Sequence, residues 1–215
     1  MNLDPSFTQA YLFDSLQKIM KAEGFSPLPS KKQFRKEEEK GFQSVILAVS
    51  GYEDLMMIEF HYGLRLQAVE DLVGRFTRSL TGWKADAHSA ILSQGKLWDR
   101  PYWRFEAKDS DELDRVMDQF KEMWEEKARQ FLEDHFSLKG LHELLNADPY
   151  HPSKYLPNQG HRYLRGLAVA HLVQDKDFEN LAKIYREKMD KEAGGELLKP
   201  GFERLLQYLQ HLNWN

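Results

Sequence analysis

From Leu55 to Leu66 the chain reads LMMIEFHYGLRL, and its apolar and polar side chains alternate with a period of two. On a helix this pattern scatters apolar groups around the whole circumference. On a strand it sorts them by face. Met56, Ile58, Phe60, Tyr62, Leu64 and Leu66 fall on one side, and Met57, Glu59, His61, Gly63 and Arg65 on the other. The segment therefore predicts a long strand with one face on a core and the other carrying charge. Antiparallel sheets show such one-sided burial, whereas parallel sheets are covered on both faces.

The flanking sequence fits that sheet. Phe7 to Glu23 predicts a helix with an apolar stripe through Tyr11, Leu12, Leu16, Ile19 and Met20, stopped by Gly24 and kept from resuming by Pro27 and Pro29. Lys32–Glu37 and Phe42–Ser50 read as strands joined by a turn over 38–41, the second of them apolar on both faces through Val45–Val49. Gln67–Leu80 reads as a helix that buries Val69, Leu72, Val73 and Phe76, with further strands near His88–Gln94 and Tyr102–Ala107. Asp109, with Glu112 three residues on, opens a long helix in capping-box fashion. The sum is an α+β domain over residues 1–136, built on an antiparallel sheet of about five strands packed with helices.

Residues 137–215 predict an all-helical subdomain. A short helix, a proline- and aromatic-rich loop and three helices follow one another: Arg162–Val173, Asp177–Glu192, and Pro200–Leu212 with Pro200 in the first turn.

The chain has no cysteine, which excludes disulfides, thiolate metal sites and cysteine nucleophiles and fits a reducing compartment. No run of apolar residues is long enough to span a bilayer. The N-terminus has no basic segment leading into an apolar run, so the expected location is cytoplasmic. Residues 109–147 hold 11 acidic and 5 basic side chains, and the rest of the chain is balanced, with 25 basic against 23 acidic. Such a distribution works against a duplex-DNA binder. A nucleic-acid role would fall to Arg65, Arg75, Arg78, Arg100 and Arg104, and nucleic acid is not the expected partner.

Phosphate loops, dinucleotide fingerprints, nucleophile elbows and HExxH zinc motifs are all missing. The eight histidines show no ligand spacing, so neither a metal nor a cofactor is expected. Two constellations stand out. Glu59, His61 and Arg65 share the polar side of one strand, where Glu59 is placed to orient His61 and raise its pKa. With Arg104 and Glu106 of the neighbouring strand they form one charged patch. It reads as an acid–base site for an anionic substrate, as a recognition surface, or as charge pairs decorating the wet face of a sheet, and decoration is the commonest fate of such rows. The second constellation is LWDRPYWRF, Leu97–Phe105. It combines aromatics and arginines as interface hot spots do, with Trp98, Arg100 and Tyr102 as surface anchors and Trp103 and Phe105 in the core.

The order EGF (23–25), FRK (34–36), SVILAVS (44–50) and IEFHYGL (58–64) resembles a class of uncharacterised bacterial domains. Some of its members sit among immunity proteins of polymorphic toxin systems. The likeness covers the N-terminal half and carries no catalytic motif. It implies an α+β bacterial protein that acts by binding a protein partner, and it leaves the oligomeric state open. The contrasting expectation is a small-molecule-binding or hydrolytic enzyme centred on His61, Glu59 and Arg65.

Overall fold

The computed structural model describes residues 3–77, 84–192 and 194–212. It is an α+β protein with an antiparallel sheet and a helical C-terminal part. Its Cα packing divides into two compact units, Met1–Leu64 with Ile91–Asp134, and Arg65–Ala90 with His135–Asn215. Among the described residues, no helix is long and apolar enough to cross a membrane.

The first unit begins with α1 (Pro5–Ala22). Asp4 accepts the amide protons of Ser6 and Phe7, and Pro5 supplies the helical φ of the first turn, so the helix starts before the apolar stripe does. Gly24, at φ +83°, closes it in the left-handed conformation that glycine adopts without steric cost, and the Phe25 amide donates back to the Met20 carbonyl. The sheet runs in the order β1 (Ser26–Leu28), β2 (Gln33–Glu38), β3 (Gly41–Tyr52), β4 (Leu55–Leu66) and β5 (Ala90–Ser93), with β6 (Phe105–Ala107) also paired to β4. The β1–β2, β2–β3 and β4–β6 pairs are antiparallel. On the covered face Leu12, Leu16 and Met20 of α1 and Phe120 of α4 (Ser110–Met123) are fully or almost fully buried with Phe34, Ile58 and Phe60. The Phe13–Phe34 and Phe60–Phe120 ring centroids lie 4.4 and 4.6 Å apart. Each such side chain contributes about 1.5–3 kcal/mol on leaving water. Asp109 caps α4 by accepting the Glu112 amide proton, while the Glu112 carboxylate reaches one residue past the cap and accepts the amide proton of Lys108 rather than that of Asp109.

After α4 the helix widens into a π turn at Trp124–Ala128 and continues as α5 (Arg129–His135). Between β5 and β6 lies the short α3 (Gln94–Leu97). The strand expected over Tyr102–Ala107 contracts to Phe105–Ala107, because Pro101 and Tyr102 form a turn.

In the second unit α2 (Gln67–Gly74) ends earlier than the apolar spacing suggested, and Arg75–Phe76 follow as a turn. Arg78 and Leu80 lie outside the described residues. α6 (Leu138–Asn146), α7 (Gln159–Leu172), α8 (Phe178–Met189) and α9 (Gly195–His211) form the helical part. Fully buried Arg162 donates to the carbonyls of Leu145, Asp148 and His151 at 2.6–2.8 Å, which ties down the proline-rich loop. Pro200 lies inside α9 rather than in its first turn, since the helix begins at Gly195 after Gly194 in a left-handed conformation.

Candidate functional site

On β4 the burial alternates up to Tyr62, leaving Met57, Glu59 and His61 half-buried on the face opposite the core helices. The β4–β6 register pairs Met57 with Glu106 and Ile58 with Phe105, and its next step sets Arg104 opposite Glu59. The Glu59 Oε2 atom accordingly stands 3.6 Å from Arg104 Nε and 3.4 Å from His61 Nε2. Glu59, His61 and Arg104 form one cluster, with Glu106 exposed beside it.

The electrostatics of His61 differ from the sequence expectation. Burial pushes the imidazole below its ordinary value, the charges of Lys96 and Arg104 push the same way, and Glu59 opposes them without prevailing. The imidazole therefore favours its neutral form more than an ordinary histidine does.

Arg65 does not join the cluster. It is buried in the second unit, where Nη1 donates to the carbonyls of Lys84 and Ala87 at 2.8 and 2.9 Å and Nε to the Gln67 side chain. A guanidinium committed to main-chain carbonyls positions backbone.

Beside the Glu59 cluster stands the Trp98–Trp103 loop, and it is tightly constructed. Fully buried Gln94 accepts the Phe60 amide proton at 2.7 Å, which pins α3 to β4. The Arg100 amide donates to the Gly95 carbonyl at 2.7 Å and the Trp103 amide to the Arg100 carbonyl at 2.9 Å. A Cβ at position 95 would run into the carbonyl oxygens of Arg100 and Trp103, so the loop closes over a glycine that cannot be enlarged. Asp99 takes a left-handed conformation at φ 57° to make the bend. From the π turn, Lys127 donates to the Leu97 carbonyl at 2.7 Å and its ammonium lies 5.6 Å from the Trp98 ring centre. Single π turns of this kind recur at functional sites. Arg100 stacks on Trp103 at 4.7 Å. Held by this frame, Tyr102 is 94% exposed.

Sequence reasoning missed a second charged centre. Arg165 on α7 grips Glu70 on α2 through two hydrogen bonds, Nε–Oε1 at 2.8 Å and Nη2–Oε2 at 2.7 Å, with both side chains buried. The Ser89 hydroxyl donates to Glu70 at 2.8 Å and accepts the Leu66 amide proton at 3.0 Å. Burial disfavours the Glu70 charge, but Arg165, Ser89 and the nearby charge of Arg65 outweigh it and hold the carboxyl below its ordinary value. Its sequence signal is two arginines, Arg162 and Arg165, on a helix whose other residues through Ala170 are almost all apolar. Cations in such a setting have to be paired.

Among the described residues, no group of three or more histidine, aspartate and glutamate side chains could hold a metal ion. No protein-family model matches the chain, and neither the curated proteins nor the solved structures include a significant match to it.

Proposed function

We propose that this chain acts by binding a protein partner through the face formed by the Trp98–Trp103 loop and the adjoining Glu59–His61–Arg104 cluster. The observation that carries this reading is the cost of construction around one exposed aromatic. A buried glutamine, an irreplaceable glycine, a left-handed aspartate and a lysine from a π turn all serve to present Tyr102 at 94% exposure. A rigid aromatic flanked by arginines loses little entropy on docking, which is the character of an interface anchor. The partner that fits offers an apolar socket for Tyr102 and carboxylates for Arg100 and Arg104. In its immunity-like form this reading makes the partner a toxin neutralised in the bacterial cytoplasm.

The test is binding of the purified product of the neighbouring gene by wild type and by Tyr102→Ala and Arg100→Ala. Hot-spot truncation weakens binding by roughly 2 kcal/mol or more, about thirtyfold. A partner that binds both folded variants as tightly as wild type sinks the reading.

One observation favours a second reading. A neutral imidazole beside a carboxylate and a guanidinium is the equipment of a general base acting on an anionic ester. Under that reading the Glu59–His61–Arg104 cluster hydrolyses a small anionic ester, and His61→Gln abolishes turnover while Tyr102→Ala, outside the cluster, leaves it intact.

A further inference from the structure

The second unit contains two adjoining cavities, the second the more apolar. One, of about 660 Å3, is lined among the described residues by four cationic side chains, Arg65, Arg75, Lys84 and Arg165, against two carboxylates, Glu70 and Asp71, an excess of two positive charges within that lining. Glu70 is already saturated by Arg165 and Ser89. Asp71 accepts a hydrogen bond from Gln67. Arg75 and Lys84, both exposed, are held only by neutral groups, the Tyr208 hydroxyl at 3.2 Å and the Gly74 carbonyl at 3.1 Å. Among the described residues neither has a carboxylate partner, and both charges line the cavity.

The second cavity, of about 820 Å3, is lined by Phe76, Leu197, Leu198 and Pro200 together with one cation, Arg204, and one carboxylate, Glu196, and it shares Thr77 and His161 with the first. Its wall is close-packed, since a Cβ on Gly201 would strike the Phe76 carbonyl and one on Gly160 would strike the Leu198 side chain. Leu197, at its rim, is 81% exposed.

We propose that this double cavity binds a small molecule with an anionic head, taken by Arg75 and Lys84, and an apolar body laid against Phe76 and Leu197. A purely ionic ligand leaves the second cavity empty, and a purely apolar one leaves the charges of Arg75 and Lys84 unused.

His161 lines both cavities, so its ring resonances report occupancy of either. In an NMR titration of the full chain, phenyl phosphate shifts them saturably and binds at least about tenfold more tightly than inorganic phosphate, while benzyl alcohol at the same concentration does not bind. Phenylacetate, the carboxylate anion of phenylacetic acid, run alongside, tells a carboxylate head from a phosphate one. The double variant Arg75→Ala/Lys84→Ala, whose side chains are exposed and whose melting should match wild type, weakens phenyl phosphate by at least about tenfold. Leu197→Ser narrows the gap between phenyl phosphate and inorganic phosphate. The proposal falls if phenyl phosphate produces no saturable shift at millimolar concentration, or if it binds the double variant as well as wild type. It falls equally if phenyl phosphate gains nothing over inorganic phosphate.

Discussion

At His61 four influences compete. Burial, Lys96 and Arg104 depress the imidazole, and Glu59, 3.4 Å away, resists them. Replacing Glu59 by Gln removes the only one of these charges that favours the imidazolium, so the pKa of His61 falls further below its ordinary value, whereas Lys96→Ala raises it. An NMR titration of His61 in the three proteins decides this, and an unchanged or higher pKa in Glu59→Gln contradicts this balance. The Glu59–His61 proximity was legible in sequence, because i and i+2 on a strand share a face. The sign of the shift was not, because it depends on how much of the ring is covered and on Lys96, which is distant in the chain. Gly95 was equally illegible. Its backbone has no positive φ, and only the fold brings the Arg100 and Trp103 carbonyls over it. Gly95→Ala must push main chain aside, at a cost of about 1–3 kcal/mol in urea denaturation. It should also weaken partner binding although residue 95 lies beneath the anchor loop. Wild-type stability in Gly95→Ala would mean that the loop is looser than its contacts imply.

Elements form here for local reasons, and pair for reasons the local pattern does not carry. The alternation of β4, the glycine stop after α1 and the Asp109 cap before α4 each depend on neighbours within a few residues, and all were readable. The clamp between α2 and α7 joins Glu70 to Arg165, 95 positions apart. Nothing in the helical spacing of either segment announces it beyond a charge at a position the packing must bury. Removing one partner leaves the other charge buried and alone, so Arg165→Leu or Glu70→Leu costs about 3–5 kcal/mol. Replacing both together removes the stranded charge as well as the bond. The double variant Glu70→Leu/Arg165→Leu therefore loses less than the sum of the singles, with a coupling of about 1–3 kcal/mol in a double-mutant cycle by urea denaturation. Additive losses would show that the two side chains stabilise their helices independently. The same clamp separates Arg65 from the role its strand position suggested. In the second unit its charge acts on Glu70 and its hydrogen bonds go to Gln67, Lys84 and Ala87.

Across the whole molecule the chain passes from one unit to the other at 64/65, again at 90/91 and again at 134/135. That interleaving has no local signature, since the crossing at 64/65 falls inside a strand whose alternation runs on unbroken in the sequence. Histidines in both units share one electrostatic fate. Burial pushes His61, His161 and His171 below the ordinary imidazole value, with help from Lys96 and Arg104 at His61 and from Arg165 at His161. In the unfolded chain each takes up a proton near pH 6.5. In the folded protein each takes it up only at lower pH, so between the two values the unfolded state holds more protons and stability rises with pH. Stability is thus fully present above about pH 6.5 and is lost as the pH falls through the folded values of the three imidazoles. Glu70, also depressed, adds a loss of the same sign further into the acid range. Urea midpoints measured from pH 7.5 down to 5.0 should fall steadily for wild type and much less for the triple variant His61→Gln/His161→Gln/His171→Gln. Glu70→Gln should leave the slope between pH 7 and 6 intact while lowering the whole curve. If wild type and the triple variant run parallel through this window, the imidazoles are better hydrated than their burial implies.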